Sequence, residues 1–268
     1  MEHIKIDKPG NYLKNIYFIE TEEQVCSLLE KTKDFLVVTR NRALAAVLEK
    51  NQVSVVGVIE KESDSFPEAR FLCQEEFLCQ PEALNYLEKV YRRYQNLPWD
   101  ILETERTRVR ETTLEDVDAF YRLYRDKELV RYTEDLFPDP EQERQYIRDY
   151  QKYMYQVYGF GIWTVLEKET GEIIGRAGLS VREGFEEVEL GFVFGLAWQG
   201  KGYAYEVCKA ILKYAREELE LSKVQAFVMP DNQASVKLCE RLGMHLAEAC
   251  VLKGVCYSRY ELSLRLLP

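Results

Sequence analysis

Short apolar runs alternate with segments of helical period through the first hundred residues. "TEEQVCSLLEKT" predicts a helix opened by Thr21, with Gln24 at capping-box spacing. "DFLVV", Asp34 to Val38, predicts a strand. "NRALAAVLEKN" predicts a helix with Leu44, Val47 and Leu48 on one side, and "VSVVGVIE" another strand. "RFLCQ", Arg70 to Gln74, fits a further short strand. "PEALNYLEKVYRRYQ" fits a helix with Pro81 in its first turn and Leu84, Leu87, Val90 and Tyr91 inward. Such alternation implies a small parallel sheet with helices against it.

"NLPWDILETER" breaks the pattern, because Pro98 ends any helix running in from Tyr91. The expected organisation is an α/β accessory domain over 1–97, a linker over 98–106 and a second domain over 107–268. In the second, "TRVRETTLEDVDAFYRLYRD" predicts strand, turn and amphipathic helix. Thr112 or Thr113 caps it, Glu115 and Asp116 favour its positive end, and Val117, Phe120, Leu123 and Tyr124 form the buried stripe. The loop "YTEDLFPDPE" precedes a Tyr-rich helix from Glu141 to about Tyr158. "GIWTVLEK", "IIGRAGLSV" and "VELGFVFG" then predict three antiparallel strands. The tail predicts two more strands, joined near Lys253 and Gly254.

With 268 residues, 46% of them hydrophobic, the chain can bury a real core in one large or two ordinary domains. No apolar run approaches a bilayer span. The start "MEHIKIDKPG" has neither a signal-peptide core nor a transit pattern, so the expected location is the cytoplasm, with no membrane association. A net charge of -10 argues against a broad basic face for nucleic acid, leaving a local patch open, and favours cationic partners such as amines. Seven cysteines at spacings of neither a zinc site nor a redox pair read as buried or idle thiols. Two histidines, His3 and His245, leave little room for a His-rich metal site or a Ser-His-Asp triad, so no metal is expected and His245 reads as structural.

The most informative stretch is "VELGFVFGLAWQGKGYAYEVCKAILKYA". An apolar strand passes through "QGKGYA" into a helix whose apolar positions are Ala204, Val207, Cys208, Ile211, Leu212 and Ala215. The glycines therefore fall at a helix N-terminus, where unpaired N–H groups and the helix dipole make an anion site if side chains do not crowd them. Alone, such a GxG reads equally as a tight turn. A Walker A loop is excluded because no Gly-Lys-Ser/Thr follows a four-residue gap, and a dinucleotide fingerprint is excluded because Tyr205 stands where it needs glycine.

The constellation carries more than the loop. "QGKGYA" fits the Q/R-x-x-G-x-G/A loop of the GNAT superfamily of N-acetyltransferases, with Gln199, Gly202 and Ala204 on the fixed positions. After the strand "VQAFVM", "DNQASVKLCERLGM" resembles the family's Asn-x-x-Ser/Ala helix through Asn232, Ser235, Leu238 and Gly243, with Met244 where Phe is common. The resemblance covers roughly residues 105–268 and is strongest to the branch of the ribosomal-protein alanine N-acetyltransferases. It implies an α+β fold with a mixed, mostly antiparallel sheet in which the strand at Phe192, Val193 and Phe194 splays from its neighbour to hold the pantetheine arm of acetyl-CoA. The pyrophosphate would rest on Gln199, Gly200, Lys201, Gly202, Tyr203 and Ala204, with Asn232 and Ser235 nearer the thioester. Asn232 reads equally as the N-cap of its own helix.

The implied reaction is direct attack of a primary amine, from a small molecule or a peptide, on the thioester. An N–H near Val193 or Phe194 would stabilise the oxyanion. Glu189 is the expected base, read equally as an exposed strand carboxylate. Ser235 or Tyr257 is the candidate acid, because Cys239 stands where relatives carry Tyr, and Cys239 itself lacks an activating neighbour. Acidic Glu134 and Asp135 in the "RYTEDLFPDPE" loop fall on the substrate side of the resembling fold.

Residues 1–97 loosely resemble a Rossmann-type or haloacid-dehalogenase-like fragment without a Gly-rich loop or an Asp-x-Asp pair, and Asp34 falls at the wrong end of its strand. Two alternatives stay open: a non-catalytic acyl-CoA-binding sensor, and a bifunctional protein with a phosphatase-like first half.

Overall fold

A computed structural model describes residues 2–5, 15–29 and 35–266. The chain divides into two compact units, 1–99 and 100–268. Asp34 lies outside the described residues.

The first unit carries strands β1 (Glu2–Lys5) and β2 (Asn15–Phe18), helix α1 (Glu22–Leu29), β3 (Phe35–Thr39), α2 (Arg42–Lys50), β4 (Val55–Ile59), β5 (Leu72–Gln74) and α3 (Ala83–Tyr94). The strands lie in that order, with β2 to β5 parallel and β1 antiparallel to β2. Every residue of β3 is buried, as a strand covered on both faces requires. One face packs Ile16, Leu36, Val38 and Val56 against Leu87, Val90 and Tyr91 of α3, and the other packs Phe35, Val37 and Val55 against α1 and α2. The Asn41 carboxamide oxygen caps α2 by accepting from Leu44 N–H at 3.1 Å. Val47, expected inward, is 41% exposed; Leu44, Ala45 and Leu48 form the buried face, which centres the stripe one residue earlier. Leu84 likewise lies at the rim, and Ala83 is buried.

The second unit begins inside the expected linker. Asp100–Glu103 is strand β6, paired with β7 (Thr107–Arg110), because Ile101 and Leu102 pack on the core of this unit. Then follow α4 (Val117–Leu123), a short α5 (Lys127–Val130) capped by Asp126, and α6 (Pro140–Tyr150). A π-helical segment over Gln151–Tyr155 continues α6, so the Tyr-rich helix is shorter than expected and changes winding. Next are β8 (Ile162–Glu167), β9 (Ile173–Ser180), β10 (Val188–Phe194), α7 (Tyr203–Glu217), β11 (Lys223–Val228), α8 (Gln233–Arg241), β12 (His245–Leu252) and β13 (Val255–Ser263).

The eight-stranded sheet runs β12-β13-β11-β10-β9-β8-β7-β6, and every neighbouring pair is antiparallel except β10–β11. Trp163, Ala177, Leu190 and Phe194 join one core with Val207, Cys208, Ile211 and Leu212 of α7. On the opposite face α4 and α6 pack Val117, Phe120 and Ile147 together. Lys253 (φ 46°) and Gly254 (φ 81°) form the two-residue turn between β12 and β13. β12 is an edge strand, and its pairing is interrupted by a bulge between Leu246 and Glu248. No helix among the described residues is long and apolar enough to cross a membrane.

Candidate functional site

The parallel pair is also the place where the sheet opens. β10 meets β11 only at Val188–Val224 and Glu189–Gln225, whereas β10 stays paired with β9 as far as Phe194 and β11 with β13 as far as Val228. Beyond Glu189 the two strands therefore diverge. Gly195 N–H donates to Ile174 C=O at 3.0 Å, which makes Gly195, Val193 and Gly191 the residues bonded to β9. The main-chain groups of Phe192 and Phe194 then face the opening. Phe194 C=O accepts from the Gln199 side-chain amide at 2.9 Å, so Gln199 ties the following loop to the strand end.

That loop turns through Gly200 (φ 71°) and Gly202 (φ 86°), backbone angles that favour glycine, directly into α7. No side chain caps α7, and Glu206 N–H to Gly202 C=O at 3.1 Å is its first backbone bond, leaving the N–H groups of Tyr203, Ala204 and Tyr205 ahead of the ladder. A Cβ on Gly200 would meet nothing within 4 Å. Lys201 is exposed and Ala204 half-buried. The Tyr203 side chain points behind the loop: its hydroxyl donates to the Glu167 carboxylate, and Arg106 lies 4.1 Å from its ring centroid. That hydrogen bond holds Glu167 below the usual carboxylate range. Arg106 also pairs with Glu206 at 2.6 Å and donates to Lys201 C=O at 3.0 Å, bracing the loop from beneath.

Gly202→Val puts a β-branched residue at φ 86° and a Cβ 3.5 Å from Arg106 Nη2. Strain of about 1–2 kcal/mol and crowding of the first turn should weaken coenzyme A binding roughly tenfold or more by calorimetry. An unchanged Kd would remove the loop from the binding site.

Asn232 caps α8, its side-chain oxygen accepting from Ser235 N–H at 3.2 Å, while the Asn232 Nδ2 and the half-buried Ser235 side chain stand at the start of that helix. Asp231 beside it pairs with Arg131 at 2.9 Å, and Glu134 lies 3.9 Å from Lys253, so the Arg131–Glu134 loop meets the ends of β11 and the β12–β13 hairpin. Glu189 is buried, and both its oxygens are held by Arg182, at 2.5 and 3.0 Å. Arg182 in turn stacks on Phe227, 4.9 Å away, and Tyr257 lies within its electrostatic reach. Glu189 is therefore an ordered ion-pair member rather than an exposed strand carboxylate.

Cys239 is fully buried, and burial pushes its thiol up to about 12, which leaves almost no thiolate at neutral pH. Cys239→Ala should keep kcat within about threefold of the parent; a loss above a hundredfold in a folded variant would restore it as a candidate nucleophile. No group of three metal-ligating side chains occurs among the described residues, and His245 sits exposed at the start of β12.

Several polar contacts here have no local sequence signal. Asp116 accepts from both terminal nitrogens of Arg110 at 2.7 Å, from Thr113 N–H at 2.9 Å and from the Thr164 hydroxyl at 2.9 Å. Arg176 likewise gives no local signal, because its environment comes from cross-strand register, and neither does Arg182, which reaches Glu189 from the loop between β9 and β10.

Residues 106–245 match the family described as the acetyltransferase (GNAT) domain. The uncharacterised protein YkkB of Bacillus subtilis is 32% identical over 152 residues, 55% of this chain and 86% of that protein. The ribosomal protein uS5-alanine N-acetyltransferase of Escherichia coli is 38% identical over 86 residues, 31% of this chain and 43% of that enzyme. A solved acetyltransferase from Agrobacterium tumefaciens aligns with a TM-score of 0.52 at 26% identity, over 60% of this chain and 92% of its own. With the splayed β10–β11 pair leading into an uncapped helix and a family match over more than half its length, the chain belongs to the GNAT acetyltransferase family.

Proposed function

We propose that the protein is an N-acetyltransferase that takes its acetyl group from acetyl-CoA and delivers it to a primary amine of a small molecule or a peptide. The observation that carries this reading is the continuity between the opening beyond Glu189 and the free first turn of α7. Main-chain groups of Phe192 suit an amide of the pantetheine arm, as β-addition does for a peptide, while Phe194 C=O is held by Gln199 and its N–H faces the opening. The N–H groups from Gly200 to Ala204, with Lys201 beside them, suit the pyrophosphate. Asn232 can cap α8 through its oxygen and still offer its Nδ2 to the cofactor.

Acetyl-CoA supplies the acetyl group as a thioester, whose C–S bond is exchanged for a C–N bond to the amine. The protein's own work is to orient, to donate and to move protons. Phe194 N–H, rather than the β9-facing Val193 N–H, is the donor for a carbonyl oxygen in the opening. An amine of reference pKa near 8 or above arrives protonated, and Glu189 takes that proton through a chain of waters. Arg182 fixes both carboxylate oxygens while each keeps a second lone pair. Tyr257, within electrostatic reach of Arg182, or the Ser235 hydroxyl returns a proton to the departing thiolate, which at a pKa near 8.5 needs little help. The first unit serves as an accessory domain, joined near residue 99.

The same Arg182–Glu189 pairing favours one rival, an acyl-CoA sensor whose carboxylate is purely structural. A turnover screen over peptide and small-amine acceptors, read as free thiol and paired with calorimetry of coenzyme A, separates them. Binding with turnover supports the enzyme, and binding without turnover on any acceptor supports the sensor. Absence of binding overturns both.

A further inference from the structure

On the sheet face away from α7 one cation has no place in that scheme. Arg176 on β9 stands directly across from Val193 on β10 and from Thr164 on β8. Its guanidinium lies 4.6 Å from the centroid of Phe120 on α4, with Tyr124, Tyr155, Tyr146 and Tyr150 within electrostatic reach. Stacking satisfies the flat face of a guanidinium but none of its five N–H donors. Its Nε is buried without a hydrogen-bond partner, and among the described residues no carboxylate pairs with it.

The contrast within this unit is informative. Arg110 has Asp116, Arg182 has Glu189, Arg259 has Glu261 and Arg106 has Glu206. Asp116, reached on the same face through Thr164, already accepts from Arg110, Thr113 and Thr164. A half-buried guanidinium stays charged at every physiological pH, and leaving it without a counter-ion is costly. These arginines have carboxylate partners and Arg176 has none, which leaves its charge open to an anion from outside.

The location says what that anion belongs to. Arg176, Val193 and Glu189 share one face of the β9–β10 pair, with Glu189 four residues, about 13 Å, along the strand from Val193. The Phe194 N–H assigned to the acetyl carbonyl is one residue from Val193, so an amine attacking there and an anion at Arg176 fit one small acceptor. The rings of Phe137, Tyr146, Tyr150 and Tyr155 pack in succession at 5.9, 5.8 and 5.4 Å, from exposed Phe137 and Tyr146 to buried Tyr155. One guanidinium among neutral phenols matches a monoanion better than a phosphate dianion.

We infer that Arg176 anchors a carboxylate carried by the amine acceptor, which makes the substrate class amino-carboxylates rather than simple amines or polyamines. This rests on the acetyltransferase reading but is tested apart from it. In calorimetry with saturating coenzyme A, N-acetyl amino acids, the products, are compared with their carboxamides. At least one acid should bind about tenfold or more tighter than its amide. Arg176→Gln should abolish the preference without changing coenzyme A affinity, and Arg176→Lys should keep part of it. Equal binding of acid and amide across the panel, or a preference that survives Arg176→Gln, overturns the proposal. Turnover of neutral amines alone defeats Arg176 and spares the acetyltransferase; loss of coenzyme A binding in the parent defeats both. Arg176→Met, which removes an unpaired charge, should leave Tm unchanged or raise it, and a fall of more than about 5 °C would mark a structural arginine instead.

Discussion

Replacing Glu189 with glutamine is expected to lower kcat about a hundredfold or more while leaving coenzyme A affinity within about twofold of the parent. Glu189 is the last residue at which β10 and β11 remain paired, so its side chain is fixed where the sheet begins to open. Glutamine keeps the shape and offers one oxygen to Arg182, but it cannot take a proton from an ammonium group. The Arg182 pair complicates the experiment, since an unmatched guanidinium destabilises its surroundings. Kinetics and calorimetry must therefore be read with a melting curve. A parallel fall of kcat, coenzyme A affinity and Tm would assign Glu189 a structural role, and unchanged kcat would take it out of proton transfer.

Asp116→Ala should be the most destabilising single change in the second unit, by about 3–5 kcal/mol, seen as a fall of roughly 10 °C or more in Tm. Asp116 is 2% exposed and receives both arms of the largely buried Arg110. Truncation leaves that cation unmatched inside the protein, with the Thr113 N–H and Thr164 hydroxyl also deprived of an acceptor. The joint lies between β7, β8 and the start of α4, so its loss loosens the first helix from the sheet. Thermal and urea unfolding of the purified variant check the outcome, and a Tm within about 2 °C of the parent would contradict it.

Asp116 also shows where the sequence stopped being legible. It was readable as an acidic residue favouring a helix start, since that role is local, but its bond to Arg110 depends on how β7 folds back over α4. The α7 segment and the three antiparallel strands were plain because their apolar periods run long enough to distinguish helix from strand. β6 was not, because two apolar residues flanked by charges look like a linker until a partner strand is present. Winding changes within Gln151–Tyr155 leave no compositional mark. At the site, the glycine loop announced a helix start, and the splay followed only from the resemblance. Arg176 was silent, because which face a strand residue takes is set by register across β8, β9 and β10, and Arg182 was silent because it sits in the loop between β9 and β10.

The bulge between Leu246 and Glu248 has a consequence for the protein in concentrated solution. β12 is the outermost strand on its side of the sheet and carries Leu246 and Val251 largely exposed. A straight edge of that kind is a template onto which another chain can zip. One unpaired residue, Ala247 near the start, bends the strand and breaks the row of main-chain donors and acceptors there, while Glu248, tied to Arg259 at 3.0 Å, sets a charge beside the break. The irregularity thus acts as a guard against self-association, and its absence would leave the longest apolar edge of the second unit open to aggregation.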